Sequence, residues 1–132
     1  MTTATVDWSD AGSVIEYLVE YSRVLAGGRR PFDEAAVREL VGRDVERAHD
    51  FAATQNHNLI ADDERSHQAP SSIVAPTLVI HGTADPMFPL EHGQALADEI
   101  PGARLLPLEG AGHGVERADW ETIARAILEH TV

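Results

Sequence analysis

The chain of 132 residues carries 22 acidic side chains against 10 basic ones, with 43% hydrophobic residues and no cysteine, which describes one globular folding unit rather than a disordered tail or two full cores. A net charge of −12 repels phosphate backbones and anionic lipid, so neither nucleic acid nor membrane is an expected partner, and the missing thiols exclude disulfides, thiolate metal sites and a cysteine nucleophile. The longest apolar runs, Thr77 to Ile80 and Leu105 to Leu108, are strand length against the ~20 residues of a bilayer span, and no secretory signal is visible, so a cytoplasmic protein is expected.

Val14, Ile15, Leu18, Val19, Ser22 and Leu25 follow the spacing of an amphipathic helix. Ser13 with Glu16 reads as a capping box at its start, and Gly27-Gly28 ends it. A second helix is expected from about Asp33, with Ala36, Val37, Leu40, Val41, Val45 and Ala48 on one face. Residues 54–72 are polar and read as loop with helical turns. At Pro76 the character changes: Thr77-Leu78-Val79-Ile80-His81, bounded by Pro76 and Gly82, predicts a strand buried on both faces. Pro89 opens a helical pattern through Ala95, Leu96 and Ile100, and Ala103 to Leu108 gives a second buried run. Strand, helix and strand form a right-handed crossover with two parallel strands. Trp120, Ile123, Ala124, Ile127 and Leu128 mark a final amphipathic helix.

In parallel strands the C-terminal ends share one edge, and ligands of open α/β sheets bind beyond it. The loop after the first strand contains Asp85, in His81-Gly82-Thr83-Ala84-Asp85-Pro86; the loop after the second contains His113, in Glu109-Gly110-Ala111-Gly112-His113-Gly114. Neighbouring strands lie about 4.8 Å apart, so the two side chains can meet. Such a carboxylate fixes the tautomer of a general-base histidine and stabilises its imidazolium. Taken singly, Asp85 before Pro86 is an ordinary turn residue and His113 an ordinary loop histidine; their order and spacing together make them the candidate pair.

The segment from Ala75 through Asp85-Pro86 to Gly110-Ala-Gly-His113 resembles the C-terminal part of an α/β-hydrolase, with acid strand, helix, histidine strand and last helix in order. The resemblance implies an incomplete α/β-hydrolase fold: a helical lid over residues 1–71, then the C-terminal part of the core over residues 72–132. Tyr17-Leu-Val-Glu-Tyr21, Pro31-Phe-Asp-Glu34 and Asn56-His57 make the lid similar to that of bacterial hydrolases of the aclacinomycin methylesterase kind. The implied activity is hydrolysis of a small-molecule ester, with Asp85 and His113 as acid and base, and without a cofactor.

The departure is the nucleophile. The serines are at positions 9, 13, 22, 66, 71 and 72, and none lies in the Gly-x-Ser-x-Gly elbow of this fold. The isolated chain is therefore expected to be inactive unless an N-terminal half completes it. The alternative is a non-catalytic remnant, a small-molecule binding module, or an interaction module that completes another chain's sheet. Strand 77–81 holds no proline or lysine to discourage pairing, so self-association through it is expected, and the helix stripe of Val14, Leu18, Val19 and Leu25 is expected to lack a floor. His81 and His92 read as structural or solvent-facing. His57, Asp62, Asp63 and His67 match no ligand spacing and read as solvated loop, so no metal is expected. Tyr17 and Tyr21 fit a pocket wall or a packing pair equally.

Overall fold

The computed structural model describes residues 6–59 and 69–131, divided between two compact units. One combines the chain up to Arg23 with Asp33–Ser66; the other combines Val24–Phe32 with His67–Val132.

Helix α1 (Ala11–Leu25), which belongs to the first unit as far as Arg23, begins two residues before the expected serine cap. Asp10 supplies the cap instead, its Oδ2 accepting the Ser13 amide at 2.6 Å, because aspartate binds orphan amides as well as serine does. Ser13 turns its hydroxyl to the Asp7 amide, and Glu16 pairs with Arg38. Helix α2 (Glu34–Arg47) starts where expected, Asp33 accepting the Ala36 amide at 3.0 Å. Arg38 bridges Glu16 and Glu34, and Arg23 also reaches Glu34. Exposed pairs of this kind are each worth at most about 1 kcal/mol. The α1 stripe does not lack cover: Val14 and Val19 are 1% and 3% exposed. Trp8, Tyr17 and Tyr21 form a contiguous aromatic row, edge-on at 5.5 Å and then stacked at 6.0 Å.

A 3-10 segment, Ala52–Leu59, overlaps the start of the polar stretch, and a second, Pro70–Ser72, ends it. The His57 side chain, Asp62, Asp63 and His67 lie outside the described residues.

The second unit carries β1 (Leu78–Gly82), α3 (Leu90–Glu99), β2 (Arg104–Leu108) and α4 (Trp120–His130). The strands pair in parallel, Leu78 opposite Arg104 through Gly82 opposite Leu108, in agreement with the crossover read from the sequence. Four of the five β1 residues are only half-buried, because the sheet has just two strands among the described residues and a strand built for a sheet interior has one neighbour. The two sheet edges differ. The Arg104 amide donates to Thr77, so alternate β2 amides face β1 and the Pro107 ring occupies the outward edge. Proline there denies a further strand its hydrogen bond, whereas β1 offers an unbroken ladder. Ile100, Leu108 and Ala111 are buried, but α4 buries no side chain: Trp120 is 57% and Leu128 69% exposed despite the helix's apolar stripe. Among the described residues, no helix is long and apolar enough to cross a membrane.

Candidate active site

Beyond the C-terminal ends of β1 and β2 the two loops are laced together by backbone. Thr83 N–H donates to Leu108, Ala84 N–H to Ala111 at 2.9 Å, and the Thr83 hydroxyl accepts the Gly110 amide at 2.8 Å. The Val24–Phe32 segment supports this junction, the Leu25 carbonyl accepting the His113 amide at 2.8 Å. Such close passage demands missing side chains. A Cβ at Gly112 would stand 2.1 Å from the Leu25 oxygen, and one at Gly82 would stand 2.1 Å from the Gly112 oxygen. Gly112 and Gly82 therefore serve backbone proximity.

This junction brings Asp85 and His113 together. His113 Nδ1 lies 2.7 Å from Asp85 Oδ2, while Asp85 Oδ1 accepts the amides of Met87 at 2.7 Å and Phe88 at 2.9 Å. The Asp85 side chain is 5% exposed and that of His113 36%. Burial pushes the Asp85 carboxyl up, but the Phe88 amide, the His113 imidazole and the Met87 amide together outweigh it and hold it below the usual carboxylate range. An ionised carboxylate only accepts, so Nδ1 carries the proton, and in the neutral imidazole the lone pair is then on Nε2. The arrangement is an oriented base with a solvent-accessible imidazole.

A cleft of about 520 Å³ lies beside the pair, lined in part by Ile80, Phe88, His92, Leu96 and His113. The Phe88 ring stands 5.7 Å from His92 and 5.6 Å from His113. Of the two histidines read as structural or solvent-facing, His92, on the first turn of α3, is exposed, and His81 lies largely buried beside the acid. Sequence reasoning also missed Arg30, whose guanidinium grips both Asp119 oxygens at 3.0 and 2.9 Å and bonds the Glu109 carbonyl. Its partners lie in the second unit's last third, and no local spacing announces them. Among the described residues no cluster of metal-ligating side chains occurs.

The family model of the TAP-like proteins matches residues 51–130. Two curated relatives are the rhodomycin D methylesterases DauP of Streptomyces sp. (strain C5) and DnrP of Streptomyces peucetius, 37% and 36% identical over 121 residues. Each alignment covers 89% of this chain and 40% of the relative, so the chain spans less than half the length of these enzymes. Among solved structures, the meta-cleavage product hydrolase CumD of Pseudomonas fluorescens IP01 superposes with a TM-score of 0.63 at 20% identity, over 89% of this chain and 45% of that one. The esterase EaEST of Exiguobacterium antarcticum gives 0.57 at 19% identity, over 88% and 46%. Both likenesses concern the fold, and the match is to part of it. The chain belongs to the TAP-like family of α/β-hydrolases and corresponds to the C-terminal part of their fold.

Proposed function

We propose that this chain is the acid- and histidine-bearing portion of an esterase-like α/β-hydrolase, with residues 1–71 as its cap and residues 72–132 as its share of the core. One observation carries the reading: His113 Nδ1 at 2.7 Å from an Asp85 carboxylate whose other oxygen is fixed by two amides. In that role His113 Nε2 takes the proton of a serine hydroxyl as its oxygen attacks an ester carbonyl, then gives that proton to the departing alcohol. Water, deprotonated by the same nitrogen, attacks the acyl-serine and releases the acid while the serine recovers its proton. Asp85 remains ionised throughout and stabilises the imidazolium.

The serine and the oxyanion donors come from a polypeptide portion outside these 132 residues. The open β1 ladder and the uncovered α4 stripe support its arrival on that side of the sheet, and Pro107 disfavours the other. The names of the two rhodomycin D methylesterases favour a methyl ester as substrate class. A non-catalytic module that completes another chain's sheet uses the same two surfaces and is the second reading.

The test is complementation. The DauP portion left uncovered by the alignment is fused ahead of this chain, and hydrolysis of an activated aryl ester is followed. Turnover that falls at least a hundredfold in His113→Ala supports the enzyme reading; a folded hybrid in which His113 is without effect favours the non-catalytic one.

A further inference from the structure

His81 is the penultimate residue of β1, four residues before the acid, and its side chain is only 12% exposed. Its Nε2 lies 2.8 Å from the Phe88 carbonyl oxygen. A carbonyl only accepts, so this nitrogen carries the proton and donates. The same nitrogen stands 3.8 Å from Asp85 Oδ2, beyond hydrogen-bond reach. Helix α3 makes room for the ring: a Cβ at Gly93 would fall 2.8 Å from His81 Nδ1 and 2.9 Å from its Cγ. Phe88 is thereby held at both ends of its backbone, its N–H on Asp85 Oδ1 and its C=O on His81.

We infer that His81 is a positioning residue that clamps the turn 85–88, so that Asp85 Oδ1 stays occupied by backbone amides and Oδ2 remains aimed at His113. The imidazole acts through the Phe88 carbonyl and touches no reacting atom. Without the clamp, the Phe88–Pro89 peptide is free to rotate, the Phe88 backbone loses one of its two anchors, its amide leaves the carboxylate more often, and Asp85 gains a second orientation. The Phe88 ring, 5.6 Å from His113, moves with the same peptide. The inference rests on Asp85 and His113 as the working pair, but the clamp is measurable whether or not that pair ever serves a nucleophile.

Three variants of the full chain separate hydrogen bonding from packing. His81→Gln keeps a donor near the Nε2 position, His81→Phe keeps the ring without the donor, and His81→Ala removes both. Hydrogen exchange of the peptide spanning 85–89 is read by mass spectrometry, which tolerates self-association, and the low-field His113 Nδ1 proton is read by NMR on histidine labelled with nitrogen-15. Exchange about fivefold faster in the Phe and Ala variants, as expected for one ordinary hydrogen bond lost, is predicted, with the low-field proton broadened. The Gln variant should stay near the parent, and peptides from α3 and β2 should not change. A Phe variant that matches the parent overturns the inference, as does a Gln variant as fast as Ala. Equal acceleration in α3 and β2 overturns it too, because His81 would then act only on global stability.

Discussion

Arg30 and Asp119, 89 positions apart, meet in a two-pronged ion pair whose carboxylate is almost wholly buried. The hydrogen bonds to Asp119 raise the guanidinium's proton affinity above its ordinary value, and the other nitrogens of the fork secure the Glu109 carbonyl at the mouth of the histidine loop. Removing one partner strands a buried charge. Arg30→Met should cost about 3 kcal/mol in urea unfolding, whereas Arg30→Met combined with Asp119→Leu should recover much of it. A single variant within a few tenths of a kcal/mol of the parent would show the pair to be dispensable.

Gly112 sets how closely the histidine loop approaches residues 25–26. A methyl group there must displace backbone rather than a flexible side chain. Gly112→Ala should destabilise by about 3 kcal/mol and should also weaken the His113–Asp85 hydrogen bond. Gly114→Ala, with open space around it, should change the melting temperature little. Calorimetry of the two side by side is the check.

The depressed carboxyl of Asp85 links stability to pH. In the unfolded chain this group returns to the ordinary value near about 3.9, so the folded state binds fewer protons as pH falls toward that value. Its stabilisation is fully present above the ordinary value and is lost as pH falls through the lower folded value. The difference in melting temperature between the parent and Asp85→Asn should therefore hold steady from pH 8 to 5 and narrow below about pH 4. A gap unchanged at pH 2.5 would mean that the carboxylate's charge contributes nothing.

The elements legible in the sequence were those with strong local periodicity or punctuation. Thr77 to His81 between proline and glycine, Pro89 at a helix start, and the acid-then-histidine order identified β1, α3 and the pair of loops. Misread features turned on geometry that residue spacing does not encode. Asp10 displaced Ser13 as a cap because both are competent and local geometry decides. The α1 stripe was expected to be bare and is covered, while the α4 stripe, equally regular in sequence, is exposed. Periodicity says that a face is apolar, not what covers it. The clamp on Phe88 was invisible because a histidine side chain bonding a carbonyl seven residues on leaves no composition or spacing signal.

The exposed stripe of α4 and the open ladder of β1 predict the chain's behaviour alone. At micromolar concentration it should self-associate, and Leu128→Glu with Trp120→Gln should reduce light scattering without lowering helix content. A parent chain that is strictly monomeric and melts in one sharp transition would show that these surfaces need no partner.

The most direct measurement is covalent labelling by a serine-directed phosphonate, on the isolated chain and on the hybrid completed with the remaining portion of DauP. The isolated chain should remain unlabelled. The hybrid should label on a serine contributed by the DauP portion, at a rate that drops about a thousandfold or more in His113→Ala. Labelling of a serine within the 132 residues, or labelling of the hybrid at the same rate without His113, would contradict the assignment of Asp85 and His113 as the acid and base of a divided triad.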